Sequence, residues 1–345
     1  MAPGLSARTL AAAGAAAAAA LTGAALLQRK HLSGINADPA TEALRALAAG
    51  TDLPVTSVDG TKLHAEVFGV DGAPTIVLIH GWTEGIRYWT YVIGELADEF
   101  RLVAYDLRGH GDSGPATGGD YSLARFGEDV EAVLAAAVPD GPVAVVAGHS
   151  LGAMSIAAWA EDHDVAARAQ SAALLNTGLG DLIANSLLFP APVWAKRYSA
   201  TVGRRAFLGS RQPIPPFTTP LSHAVIRHVA FGPSATPGQV EFYAKMMGLT
   251  KPDVRAAAGL AMADMDLHHA LARLTVPTLV MAGSRDRLTP ASHAQRIASE
   301  LPNLTELIEL PDTGHMGPLE RPHEVASALA ELARAVTADA NVAPA

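Results

Sequence analysis

The chain has 345 residues, 49% hydrophobic and 17% charged, with 25 Lys+Arg against 34 Asp+Glu for a formal net charge of −9. It is long enough for one large α/β core with an insertion and too apolar for general disorder. Its acidic balance excludes a general nucleic-acid binder, which needs a basic surface to displace counterions. It has no cysteine, which removes disulfide scaffolds, thiolate metal sites and cysteine nucleophiles together.

Residues 9–27 carry no charge; Arg8 precedes them, and Arg29 and Lys30 follow. That run approaches the ~20 residues needed to cross a bilayer. The favoured expectation is an uncleaved membrane anchor, with Arg29 and Lys30 holding the following domain on the cytoplasmic side. An exported signal segment and a soluble alanine helix are the alternatives, because alanine is only weakly apolar. Residues 1–50 are read as an apolar segment and linker outside the main fold.

From Leu53 onward, short β-branched runs alternate with helical stretches. Leu53–Val58 and Lys62–Phe68 flank an Asp59-Gly60 turn and read as a hairpin. Thr75–Ile79 is a buried-type strand, Arg87–Ala97 a helix and Arg101–Tyr105 a strand. Ser122–Val138 has helical periodicity with Ser122 as its cap. Val143–Ala147 reads as a strand and Leu151–Asp162 as a helix. Strands follow at Ala172–Asn176, Thr278–Ala282 and Thr305–Leu310, with helices at Ala291–Glu300 and Pro322–Val336. Near-continuous apolar strands alternating with helices imply a mostly parallel sheet covered on both faces. Between Thr177 and Leu274 no strand is evident, and a stretch of that size reads as an inserted helical cap.

Gly148-His149-Ser150-Leu151-Gly152 joins the Val143–Ala147 strand to the next helix, the arrangement of a nucleophile elbow, G-x-S-x-G. A serine hydroxyl is a weak nucleophile at neutral pH and needs a base, itself oriented by a carboxylate. Asp286 falls just past the Thr278–Ala282 strand and His315 just past the Thr305–Leu310 strand. Both therefore lie at the carboxyl edge of the sheet, in the chain order Ser…Asp…His that this architecture demands. Asp181, Asp264 and Asp312 are the rival carboxylates. The oxyanion needs two preset backbone donors; the N–H groups of Leu151 and of Trp82, in His80-Gly81-Trp82-Thr83, are assigned to it. Trp82, Gly81 and His149 are expected to border the substrate. His80 and His149 are read as packing or hydrogen-bonding residues rather than proton carriers.

With these elements on the page, the chain resembles the α/β-hydrolase superfamily, in the serine branch with a short H-G-x-x oxyanion loop and an inserted lid. Asp106-Leu107-Arg108-Gly109-His110-Gly111-Asp112-Ser113 resembles the D-x-R-G-x-G-x-S turn of that family. Gly314-His315 with Glu320 and Pro322 resembles its G-H-x(4)-E-x-P ending. The resemblance covers about Leu53 to Val336 and implies a mostly parallel eight-stranded sheet with helices on both faces. Its core would occupy residues 51–178 and 276–337, with a cap at 179–275 and a tail at 338–345. It implies a carboxylic ester, thioester or lactone hydrolase working through an acyl-enzyme on Ser150, His315 and Asp286, with no cofactor and no metal. A serine at position 150 argues against the epoxide hydrolases and haloalkane dehalogenases, which use an aspartate there. A cofactor-free perhydrolase, a lyase, a carbon–carbon hydrolase and a noncatalytic ligand-binding member of the fold are the alternatives.

Residues 182–251 hold eight basic side chains, Lys196, Arg197, Arg204, Arg205, Arg211, Arg227, Lys245 and Lys251, against the single acid Glu241. That is +7 within a chain of −9, leaving −16 elsewhere. Such a segment reads either as a basic face that is solvated or complements the acidic core, or as a charge that draws in an anionic or acyl-carrier-bound ester or an anionic lipid surface. Leu187–Phe189, Val193-Trp194 and Phe217 are expected to supply apolar surface for an acyl chain.

Overall fold

The computed structural model of the protein describes residues 7–188 and 201–342. Eight strands form one sheet: β1 (Thr51–Thr56), β2 (Lys62–Gly69), β3 (Thr75–Ile79), β4 (Arg101–Tyr105), β5 (Val145–His149), β6 (Ala172–Leu175), β7 (Thr278–Gly283) and β8 (Leu304–Leu310). Their order is β1-β2-β4-β3-β5-β6-β7-β8. β2 pairs antiparallel with both β1 and β4, and every other pairing is parallel. The expected sheet is therefore present. From β3 the chain turns first to β4 on one side and then to β5 on the other. The strand order thus reverses between β3 and β5, the place where open α/β sheets leave a crevice at their carboxyl edge.

Alternation inside the apolar runs builds the two faces. Val77 and Ile79 of β3 join one core cluster and Ile76 and Leu78 the other, all fully buried, as the two-residue side-chain period of a strand requires. The first cluster packs against α4 (Leu123–Ala137) and α5 (Leu151–Asp162). The second packs against α3 (Thr90–Leu96) and a C-terminal helix at Pro322–Val342. The edge strands β1 and β8 are mostly exposed, and β8 leaves Leu304 and Leu307 at the surface.

Several boundaries move. The expected helix over 87–97 divides into a 3-10 turn, Ile86–Trp89, and then α3. Ser122 stands at the start of α4, but its side chain makes no capping bond. The strand expected at 143–147 lies two residues later, because Val143 forms only an isolated bridge with Ala169. β5 therefore runs straight into Ser150. Between β6 and β7 the described residues hold helices at Pro220–Ala230, Pro237–Leu249 and Pro252–Ala263 and one isolated bridge, Gly180–Asp266.

The amino-terminal reading needs correction in two respects. Helix α1 (Ala7–Asn36) is long, yet no helix among the described residues is long and apolar enough to cross a membrane. Alanine supplies its length without the transfer free energy of leucine or isoleucine, so the expected anchor is not supported. The segment also does not stand outside the fold. Gln28 Nε2 donates to Thr218 O at 2.8 Å, and Gly238 N donates to Asp38 Oδ2 at 2.7 Å. Ile35 and Leu44 are buried, Leu44 within the second core cluster.

The turn after β4 is fixed by charge. Arg108 donates to Asp129 of α4 through Nε at 2.7 Å and Nη2 at 2.6 Å, both side chains fully buried, and through Nη1 to Asp59 at 2.9 Å. Removing one partner of a buried ion pair strands the other charge away from water. Asp129→Ala is expected to cost about 3–5 kcal/mol, read as the change in unfolding free energy in urea.

Candidate active site

Ser150 sits at the β5–α5 junction with φ +49° and ψ −113°, a left-handed conformation that costs about 1–3 kcal/mol outside glycine. The surroundings impose it. A Cβ on Gly152 would stand 2.3 Å from Ile79 O, and one on Gly148 2.5 Å from Ala153 N. Only glycine lets strand and helix close this tightly. Ser150 N donates to Leu175 O at 2.9 Å, and its carbonyl accepts from Thr177 Oγ1 at 3.0 Å. No hydrogen bond joins Ser150 Oγ to another described residue. The hydroxyl stands free at the cavity.

His315 lies past β8, its N–H donating to Ala230 O at 2.7 Å. Its Nδ1 donates to Asp286 Oδ2 at 2.7 Å, with both side chains nearly inaccessible. Asp286 also accepts from Leu288 N and Thr289 N at 2.9 Å, from Thr289 Oγ1 at 2.9 Å and from Asn176 Nδ2 at 3.2 Å. Burial pushes the Asp286 carboxyl upward, but the His315 charge and these donors outweigh it and hold it below the usual range. Burial likewise pushes the His315 imidazolium down, and the Asp286 charge and hydrogen bond more than reverse that. With Nδ1–H spent on Asp286, Nε2 carries the lone pair.

The rival carboxylates lie elsewhere. Asp264 pairs with Arg204 and Asp312 with Arg285 at the surface, and Asp181 is exposed. The backbone N–H groups of Trp82 and Leu151 donate to no described residue, while the indole N–H of Trp82 donates to Arg255 O at 2.9 Å. Thr83 beside them has φ +64°, uncommon for a β-branched residue and a second strained point in the same loop.

A cavity of about 310 Å³ opens between this edge of the sheet and the helical insertion. Ser150, His315, Trp82 and Glu84 line one side, and Phe207, Val225 and Tyr243 are among the insertion residues that line the other. Of the residues expected to face an acyl chain, Leu188 lines it, whereas Leu187 and Phe217 are exposed and do not. Phe189, Val193, Trp194, Lys196 and Arg197 lie outside the described residues.

Gly81 and His149 do not line the cavity either, and their role differs from the one expected. A Cβ on Gly81 would meet His149 Nδ1 at 2.8 Å. His149 is fully buried behind the site. Its Nε2 is 2.9 Å from the His315 carbonyl, which can only accept, so Nε2 carries a proton. Its Nδ1 is 3.1 Å from Glu84 Oε2, which also accepts from Gly81 N at 2.6 Å. His80 is held as a neutral ring: Nδ1 donates to Gly81 O at 2.8 Å and Nε2 accepts from Leu107 N at 2.9 Å. Burial holds its pKa down.

Glu84 and Asn176 escaped the sequence reading. Glu84 ties the Gly81–Trp82 loop to the backbone of His315 through His149. Asn176 bridges Asp286 and Gly314 O at 3.2 and 3.1 Å. Neither belongs to a spaced motif; their positions just past β3 and β6 were the available signal.

Residues 74–322 match the family model of the alpha/beta hydrolase fold. The chain belongs to the alpha/beta hydrolase family. It is an enzyme of that fold. It is 26% identical over 277 residues to an AB hydrolase superfamily protein, YisY, of Bacillus subtilis, covering 79% of this chain and 96% of that one. A bifunctional esterase/perhydrolase of Acinetobacter calcoaceticus is 26% identical over 273 residues, 76% of this chain and 92% of its own. Among solved structures, a thermophilic esterase from Thermogutta terrifontis superposes with a TM-score of 0.66 at 25% identity, covering 83% and 98% of the two chains.

Because the negative charge of Glu84 favours the His315 imidazolium, Glu84→Gln is expected to move the acid limb of kcat/KM to lower pH. It is also expected to lower kcat by about tenfold, through a looser base and loop. A pH profile of variant and parent on the same substrate checks both effects.

Proposed function

We propose that the protein is a serine hydrolase that cleaves a carboxylic ester through an acyl-enzyme. The observation that carries this reading is one cavity bordered by a strained, glycine-flanked serine and by a histidine bonded to a buried aspartate. Ser150 Oγ attacks the ester carbonyl while His315 Nε2 takes its proton. Asp286 holds the Nδ1–H tautomer and stabilises the imidazolium that forms. The carbonyl oxygen, now negative, is received by the N–H groups of Trp82 and Leu151, with the start of α5 adding its dipole. His315 then gives the proton to the departing alcohol. A water, deprotonated by the same ring, releases the acid and restores Ser150.

The helical insertion acts as the cap, supplying the apolar wall that holds the acyl or alcohol chain and keeps water scarce. The esterase names among the relatives support an ester as substrate. Perhydrolysis differs only in the final acceptor, hydrogen peroxide in place of water, and the esterase/perhydrolase relative supports that second reading.

Ser150→Ala is expected to lower kcat on a small p-nitrophenyl ester by about a thousandfold or more. Circular dichroism and the melting temperature should stay close to those of the parent. Full activity in a folded Ser150→Ala protein would remove the proposal.

A further inference from the structure

Arg255, in the insertion helix Pro252–Ala263, lines the same cavity as Ser150. It is 3% exposed. Nη2 donates to the carbonyls of Ser210, at 3.2 Å, and Gln212. Nη1 is buried and has no hydrogen-bond partner among the described residues. No carboxylate lies within ion-pair distance of Arg255 among the described residues, whereas Arg87, Arg108, Arg168 and Arg204 each have one. Residues 189–200, outside the described part, contain no Asp or Glu. Glu84 borders the cavity, but its Oε2 is taken by Gly81 N and His149. Burial alone depresses the Arg255 guanidinium, with no nearby charge to offset it.

A buried cation without a counter-charge among the described residues, its Nη1 unsatisfied beside a largely apolar cavity, is costly to the fold. A ligand anion would relieve that cost. With Nη2 committed to two backbone carbonyls, Nη1 remains as the buried unsatisfied donor, suited to a carboxylate oxygen. The rest of the wall, including Leu208, Val225, Ile226 and Met262, suits an aliphatic chain. We propose that Arg255 is the substrate-anchoring residue of this cavity, and that the substrate is an ester bearing a free carboxylate separated from the ester by an apolar chain. This rests on the serine-hydrolase reading and adds the charge and polarity of its substrate. It also relocates the basic group that matters: among the described basic side chains over residues 182–251, Arg211, Arg227 and Lys251 are exposed, and Arg255 lies just beyond them.

The test compares monomethyl esters of straight-chain dicarboxylic acids of about four to eight carbons with methyl esters of monocarboxylic acids of equal length. The parent enzyme is expected to favour the charged series by about tenfold or more in kcat/KM, chiefly through KM. Free dicarboxylates should inhibit competitively where diols of the same length do not. Arg255→Met is expected to bring the charged-to-neutral ratio near one, and Arg255→Lys to retain part of it. A parent ratio of one or below, or a ratio that survives Arg255→Met, overturns the inference. If the Met variant fails to fold, the parent ratio and the dicarboxylate inhibition decide. Labelling of Ser150 by a fluorophosphonate separates the levels. Labelled enzyme without charge preference overturns only the role of Arg255; no labelling and no ester cleavage overturns the underlying reading.

Discussion

The close approach of β3 to α5 is the constraint on which the site depends. Gly152 meets the Ile79 carbonyl with no room for a methyl group, and Gly148 is shut in against the first turn of α5. That contact forces the backbone through positive φ at Ser150, lifts the hydroxyl off the sheet and leaves the amide of Leu151 unspent. The same proximity brings the loop after β3 alongside: a Cβ on Gly81 would stand 3.1 Å from the Cβ of Ser150. A reversal of strand order between β3 and β5 is what allows these two loops to meet.

Around this elbow lie two histidine–carboxylate pairs with different tasks. His315 and Asp286 face the cavity, and their mutual charge favours imidazolium and carboxylate against the cost of burial. His149 and Glu84 lie beside them, tilted rings 5.0 Å apart, joined to His315 only through its carbonyl. The inner pair, with Glu84 also receiving Gly81 N, ties the loop after β3 to the backbone of His315. Precise placement of this kind is worth as much to rate as the identity of the reacting groups.

Much of this could be read from the residues. Continuous apolar runs such as Thr75–Ile79 marked central strands, and Ser150, Asp286 and His315 stood out by following strands in the required order. What could not be read depends on contacts distant along the chain. Trp82 Nε1 reaches the carbonyl of Arg255, 173 residues away, and Asn176 reaches Asp286, 110 residues away; no local spacing encodes either. His149 occupies a motif position that faces a cavity only if the ring turns outward, and packing on Tyr88 turns it inward. The alanine-rich α1 shows the opposite failure. Lack of charge resembled a bilayer span, while Gln28 and Asp38 had partners in the insertion that only the folded chain reveals.

The account rests on an acyl group carried by Ser150. It is tested most directly by acid-quenching the enzyme within the first turnover of a p-nitrophenyl ester and mapping its peptides by mass. The peptide holding Gly148-His149-Ser150-Leu151-Gly152 is expected to carry the acyl mass increment, localised to Ser150 by fragmentation. Hydrolysis at full rate with that peptide unmodified, or with the acyl group on another residue, would contradict it.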